Sequence, residues 1–227
     1  MVKPKKERTP PDFRAQRYEL VDRLINKGYL KTDAAIQAMR STPREMFLPE
    51  DIRGAAYFDH PLEIGEGQTI SAPHMVAMMA EGLDLKPGLK VLEVGGGSGY
   101  HAAVMAEMVK PDGKVFSMER ITSLAEGARH ILKAAGYESL VEVIVGDGTI
   151  GLPGHAPFDR ISIAAAAPYV PESLKQQLAE GGKMLIPVGG RWYQELTLVV
   201  RKGEKFIEKN LGGCVFVPLI GEFGFKD

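Results

Sequence analysis

From residue 89 onward, apolar and polar positions alternate between two lengths of pattern. Short apolar runs, "LKVLEVG", "KVFSME", "VEVIVG", "FDRISIA", "KMLIPVG" and "ELTLVV", have the length and composition of buried strands. Segments of helical length stand among them: "GYHAAVMAEMVK", "TSLAEGARHILKAAG" and "PESLKQQLAEGG". The "PDG" at 111–113 marks a turn, and Gly136 is placed to end the second of these helices. Strands separated by helices predict an α/β fold: a doubly wound, mostly parallel, Rossmann-like sheet with right-handed crossovers and helices on both faces. A last apolar stretch, "GGCVFVPLIGEF", predicts a final strand with Pro218 at its end or on an edge.

The pattern before residue 85 is different. Phe13, Leu20, Leu24 and Ile25 recur near helical spacing, so residues 13–29 predict a helix that Gly28 can end. Thr32 can cap a second helix through Ala35, Ile36 and Met39, which Pro43 stops. Residues 48–73 carry Gly and Pro without a period and read as mostly loop, and 74–83 as helix. The expected organisation is a helical and loop-rich region, 1–84, packed on an α/β core, 85–227, as one structural domain.

Composition narrows the class. Apolar residues are 44% of the 227, enough for a sizeable core in one domain. A formal net charge of -1 gives no electrostatic footprint for nucleic acid. The basic cluster Lys3, Lys5, Lys6 and Arg8, among prolines, reads as a solvated tail. No apolar run reaches the length of about 18 residues that would suggest a membrane span, and no apolar leader opens the chain. Cys214 is alone and reads as a small buried hydrophobe in a reducing compartment. These features lead us to expect a cytoplasmic monomer without nucleic acid, membrane or metal.

The chemistry gathers where strands end. In "VLEVGGGSG", Gly95, Gly97 and Gly99 join the first strand of the core to a helix, the usual ligand cradle of an open α/β sheet. A dinucleotide site would want G-x-G-x-x-G, but the third position is Tyr100. The preceding Glu93 would repel a pyrophosphate and attract a sulfonium or ammonium, which points to S-adenosylmethionine. Glu119 ends the next strand, where a carboxylate can accept from two ribose hydroxyls. Asp147 and Gly148 end the third, where Asp147 could accept from an adenine amino group. Each acid also has a plain structural reading, an ion pair or a turn; three at successive strand ends favour the ligand.

In this order "VLEVGGGSG", "SMERI", "VGDG" and "FDRISI" resemble a class I methyltransferase. "TPREMF", "IGEGQTISAPHMVAMM", "IAAAAPYVP", "LAEGGKMLIPVG" and "FVPLIGE" make the chain similar, over about residues 13–222, to one family in that class, protein-L-isoaspartate O-methyltransferase. The resemblance implies S-adenosylmethionine as donor and S-adenosylhomocysteine as product. It implies the free α-carboxylate of L-isoaspartyl residues in damaged proteins and peptides as acceptor. The ester then collapses to a succinimide, so the function is repair. Carried onto this chain, it puts Ser71 beside the reacting carboxylate and lines the acceptor side with Thr69, Ile70, Ala164, Ala165 and Ala166. Two positions depart: Gly96 and Ala164 stand where the family commonly has Thr, and the second removes a hydroxyl from the acceptor side.

The residues are compatible with that chemistry. A carboxylate is already ionised at neutral pH and needs no general base. Ser71-Ala72-Pro73 is also a good helix start, so Ser71 has a competing role as N-cap. His74 reads as a first-turn helix residue, and Met75, Met78 and Met79 as core. Trp192 and Tyr193 read as an exposed hairpin tip, with substrate contact as the alternative. Other acceptors for a class I methyltransferase, and a non-catalytic module that binds S-adenosylmethionine, are the competing functions. An amine methyltransferase typically wants an N-P-P-Y-type string where this chain has Ala166-Ala167-Pro168-Tyr169. A nicotinamide oxidoreductase is disfavoured by the glycine spacing.

Overall fold

The structure, a computed structural model, describes residues 11–226, so the basic cluster at residues 3–8 lies outside the described residues. Helix α1 (Phe13–Asn26) starts where the Asp12 side chain accepts from the Ala15 N–H, and α2 (Asp33–Ser41) where Thr32 accepts from Ala35. Pro43 ends α2, and two 3-10 turns follow, Arg44–Phe47 and Glu50–Ala55. Residues 62–70 are not loop but an antiparallel hairpin, β1 (Leu62–Gly65) and β2 (Gln68–Ile70), turned by Glu66 and Gly67, both at positive φ. Helix α3 (Pro73–Leu83) completes the N-terminal region.

The remainder is the predicted α/β arrangement. In order come β3 (Lys90–Val94), α4 (Tyr100–Val109), β4 (Lys114–Glu119), α5 (Thr122–Ala134), β5 (Val141–Val145), β6 (Phe158–Ile163), α6 (Glu172–Lys175), β7 (Leu178–Gly189), β8 (Gln194–Lys202) and β9 (Lys205–Cys214). The sheet order is β5-β4-β3-β6-β7-β8-β9. Pairing is parallel from β5 to β7 and antiparallel in the last two pairs. Strands β3 and β4 are buried almost end to end, as central parallel strands covered on both faces must be.

Two boundaries differ from the sequence reading. Helix α6 stops after one turn, and Leu178 already pairs with Phe158 in the sheet. The last strand is Lys205–Cys214, not the stretch around Pro218. That stretch runs on as a strap whose carbonyl at Val217 and N–H at Leu219 pair with Ala166. Buried residues from α1, α2 and α3 share one apolar cluster with α4, α5, Leu185, Leu196 and Phe216. Among the described residues no helix is long and apolar enough to cross a membrane.

Candidate active site

The strand order reverses between β3 and β6: successive connections lead from β3 to β4 and β5 on one side, and from β6 to β7 on the other. Ligand crevices open at the carboxyl ends of such a pair, and the residues beyond those ends are Gly95 and Ala164. They nearly touch. A Cβ on Gly95 would lie 3.5 Å from the Ala164 backbone, and Gly95 sits at φ +86, where a side chain is strained. Gly97, at φ +52, passes under the hairpin, with Ile64 3.2 Å from where its Cβ would be.

Two recesses meet here. The first, of about 100 Å³, is lined by Gly95, Gly97, Met118, Glu119, Gly148, Ala164, Ala165 and the strap from Val217 to Ile220. The second, of about 760 Å³, runs past Ser71, His74, Ala164, Trp192, Tyr193 and the strap from Val215 to Pro218. Thr69 and Ala164 line both. A smaller niche beside the glycine loop joins Thr69, Ile70 and Ser71 to Gly95, Gly96 and Gly97. Among the described residues no cluster of His, Cys, Asp or Glu is placed to hold a metal ion.

Glu119 stands in the first recess as the sequence predicts. One carboxylate oxygen accepts from Gly97 N–H at 2.9 Å and the other from Ile121 N–H at 2.9 Å. A carboxylate offers about four acceptor positions, so each oxygen keeps one beyond these bonds. Gly148 lines the same recess; a Cβ there would stand 2.3 Å from Val94, so the strand ends can meet only with glycine.

Four predicted residues have a different place. Glu93 is not in the recess: its carboxyl is fully buried beneath the loop, hydrogen-bonded by Ser117 and 3.5 Å from His101 Nδ1. Burial is the main cause that pushes its pKa up to about 8; the Glu119 charge adds to this and the Ser117 bond opposes it. Burial takes His101 down to about 4. Gly99 caps α4 at φ +87, and a Cβ there would press on Leu132 and Ala128 of α5, so it serves packing. Asp147 is turned to the strap: Oδ1 accepts from Thr149 N–H and hydroxyl, and Oδ2 from Glu222 N–H at 2.7 Å. Burial would raise its pKa, but the two bonds from Thr149, the bond from Glu222 N–H on the strap and the charge of Lys226 together depress it. Oδ2 keeps one free acceptor position. Ala166 is buried against the strap and lines neither recess.

Beside the larger recess, the two sequence readings of Ser71 are separated. The N-cap of α3 is Ala72, with no side-chain cap bond, and Pro73 opens the helix. The Ser71 hydroxyl is therefore not spent on capping. Its carbonyl is held instead by Arg44, whose Nη2 donates to it at 2.9 Å while Nε donates to Ala56 at 2.9 Å. Arg44 is wholly buried, with its guanidinium 4.9 Å from the centre of the Tyr100 ring. Sequence reasoning gave Arg44 and the strap no role, since nothing local in "TPREMF" or "FVPLIGE" says which loop each will touch.

A profile of the family described as protein-L-isoaspartate(D-aspartate) O-methyltransferase matches residues 15–224. A protein-L-isoaspartate O-methyltransferase of Methanopyrus kandleri is 58% identical over 216 residues, 95% of this chain and 96% of that one. Its counterpart from Hyperthermus butylicus is 54% identical over 95% of this chain and 92% of its own length. Among solved structures, a putative protein-L-isoaspartate O-methyltransferase from Plasmodium falciparum, crystallised with S-adenosyl-L-homocysteine, has a TM-score of 0.79. It is 29% identical, over 90% of this chain and 98% of its own.

Proposed function

This chain belongs to the protein-L-isoaspartate O-methyltransferase family, and from that membership we propose how its own residues divide the reaction between them. The chain is an S-adenosylmethionine-dependent methyltransferase that esterifies the free α-carboxylate of L-isoaspartyl residues in damaged proteins, a repair function. What remains to assign is the role of each side chain.

S-adenosylmethionine supplies, when bound, an electrophilic methyl on a cationic sulfur. Toward it, Gly95 and Gly97 would give close backbone approach, Glu119 would take the ribose hydroxyls and Gly148 would face the base, while Asp147 holds the strap that walls the recess. The fit rests on a cradle that added Cβ atoms would strain or fill and on acceptor positions left over in Glu119. Toward the acceptor, the Ser71 hydroxyl donates to the carboxylate, while Thr69 and Ala164 form the wall common to both recesses. Ala165 lines the first recess and Ile70 the niche beside the glycine loop, and each is only 5% exposed. No base is needed, because the carboxylate arrives ionised. Alignment is then the principal task, and positioning can supply on the order of 7–11 kcal/mol.

One observation carries the Ser71 assignment: the hydroxyl most readily explained as a helix cap makes no cap bond. A hydrogen bond to a charged group contributes about 1.5–3 kcal/mol. We expect Ser71→Ala to lower turnover of an L-isoaspartyl peptide by about tenfold or more, with S-adenosylhomocysteine affinity kept. Unchanged turnover would remove Ser71 from the mechanism. The whole reading is tested with methyl-labelled S-adenosylmethionine and two peptides that differ only in an L-isoaspartyl or L-aspartyl residue. Base-labile label on the first alone is expected; label on neither, with cofactor bound, would reopen the acceptor. A monomer acting in a reducing cytoplasm, without nucleic acid or membrane, belongs to the same proposal. The near-neutral charge and the lone buried Cys214 support it.

A further inference from the structure

Ser71 and Ala164 line the larger recess together with two aromatic residues, Trp192 and Tyr193. Trp192 is 90% exposed and Tyr193 62%, at the turn between β7 and β8, and Val215, 72% exposed, adjoins them. A large indole left in water forfeits the free energy of burial, about 25 cal/mol for each Å² of apolar surface. Such a side chain has a stability reason to be elsewhere, and exposed aromatics beside a cleft mark binding surfaces.

The tip is also braced, which an idle hairpin end does not need. Gln194 is fully buried; its Nε2 donates to the Gly190 carbonyl at 2.6 Å and its Oε1 accepts from Phe216 N–H at 2.9 Å. Arg191 donates to the Lys226 carbonyl at 2.7 Å and lies 5.2 Å from the Phe225 ring centre. The Tyr193 ring lies across Gly213, where a Cβ would meet its hydroxyl at 2.7 Å. Holding Tyr193 and the backbone of the tip in place before binding lowers the entropy lost on binding. The charge of the recess is equally selective. Among the described residues His74 and Arg191 line it, and no Asp or Glu does. His74 Nδ1 is itself 2.9 Å from Asp59, so Arg191 is the lining charge that favours an occupant carrying a carboxylate.

We propose that Trp192 and Tyr193 form a ledge for the polypeptide that flanks the L-isoaspartyl residue, and that the ledge favours apolar side chains next to the damaged site. The occupant is an extended peptide because the ledge lines the same recess as Ser71 and Ala164. The inference rests on the reading of that recess as the acceptor site, and it adds a sequence preference that the reaction itself does not require.

Trp192 is the only tryptophan in the chain, so its emission reports the ledge alone. The full chain, saturated with S-adenosylhomocysteine, is titrated with a short peptide carrying L-isoaspartate between two leucines, and with one carrying it between two glycines. A saturable blue shift is expected with the leucine peptide, at concentrations that match its KM. In steady-state assays the preference in kcat/KM for the leucine over the glycine peptide is expected to fall roughly fivefold or more in Trp192→Ala, with S-adenosylhomocysteine affinity reporting an intact fold. Emission that stays still while the leucine peptide saturates turnover would overturn the ledge, as would an unchanged preference in the variant. Methylation of neither peptide would overturn the acceptor reading and the ledge with it.

Discussion

Glu93 lies out of solvent between Ser117, His101 and the underside of the glycine loop, and Gly96 shows how tightly that space is filled. A Cβ at Gly96 would stand 2.3 Å from the Ser117 hydroxyl and 3.5 Å from Glu93 Oε2. The hydroxyl that bonds Glu93 thus occupies the place where a side chain at 96 would begin, which accounts for glycine where the family commonly has Thr. The buried pair makes stability depend on pH. Glu93 is raised to about 8, so its proton is retained in the folded chain after an unfolded carboxyl would lose it, and stability falls as pH rises from about 4.5 to about 8. His101 is lowered to about 4, so its contribution is lost as pH falls from about 6.5 toward 4. The slopes oppose each other between about 4.5 and 6.5, and above that Glu93 alone remains. Glu93→Gln is therefore expected to gain stability relative to the parent between pH 6.5 and 8 and to keep the acid-side fall; parallel curves of Tm against pH for the two proteins would contradict this. The sequence revealed a carboxylate before a glycine turn. It did not reveal which way the carboxylate faces, because in a strand buried on both sides neither direction is marked by polarity.

At the scale of elements, the legible parts are those with a strong period or a dedicated punctuating residue. The central parallel strands, the caps at Thr32 and Gly136 and the stop at Pro43 belong to this group. The hairpin over the glycine loop was hidden because its turn is Glu66-Gly67 rather than the usual Asn-Gly or Asp-Gly. The start of strand β7 was hidden because Leu174 and Leu178 stand four residues apart, a helical interval, although the second already belongs to the sheet. Strand β9 is an edge strand studded with Lys205, Glu208 and Lys209, charges that suit an edge and erase the alternation. Arg44 shows what joins elements that sequence cannot connect: it ties a 3-10 turn to the strand end at Ser71 and lies against Tyr100 at the start of α4. Arg44→Met would leave the carbonyls of Ala56 and Ser71 without their donor, and a buried unpaired carbonyl costs about 1–3 kcal/mol. Relief of a buried charge offsets part of that. The expected result is a lower Tm together with about tenfold lower turnover of an L-isoaspartyl peptide, since 1.4 kcal/mol of misplacement at Ser71 suffices for a factor of ten. S-adenosylhomocysteine affinity should be retained. A loss of Tm with turnover intact below the unfolding range would make Arg44 structural only.

Across the whole molecule, the last described residues close a circuit between the two recesses. Val217 and Pro218 line both, Val215 and Phe216 only the larger, and Leu219 and Ile220 only the smaller. The strap is held at Ala166 by two backbone bonds and at Asp147 through the Glu222 N–H. A residue that follows β5 therefore fixes a wall formed some seventy positions later, which a reading of local pattern has no means to find. Gly221 permits the second attachment. It is close enough that a Cβ would lie 2.1 Å from Asp147 Oδ1 and 2.6 Å from Cγ, yet its φ is not one that excludes a side chain. Gly221→Ala should consequently wedge the strap off Asp147 without altering any residue that lines a recess. Loss of one hydrogen bond to a charged group, about 1.5–3 kcal/mol, predicts S-adenosylhomocysteine affinity weaker by about tenfold or more. It also predicts a raised KM for L-isoaspartyl peptides, because the same wall serves both sides. Calorimetric titration and steady-state kinetics on one preparation would separate the outcomes. Weakening on the cofactor side alone would mean that the two recesses are independent, whereas weakening on both is the signature of a single wall shared between donor and acceptor.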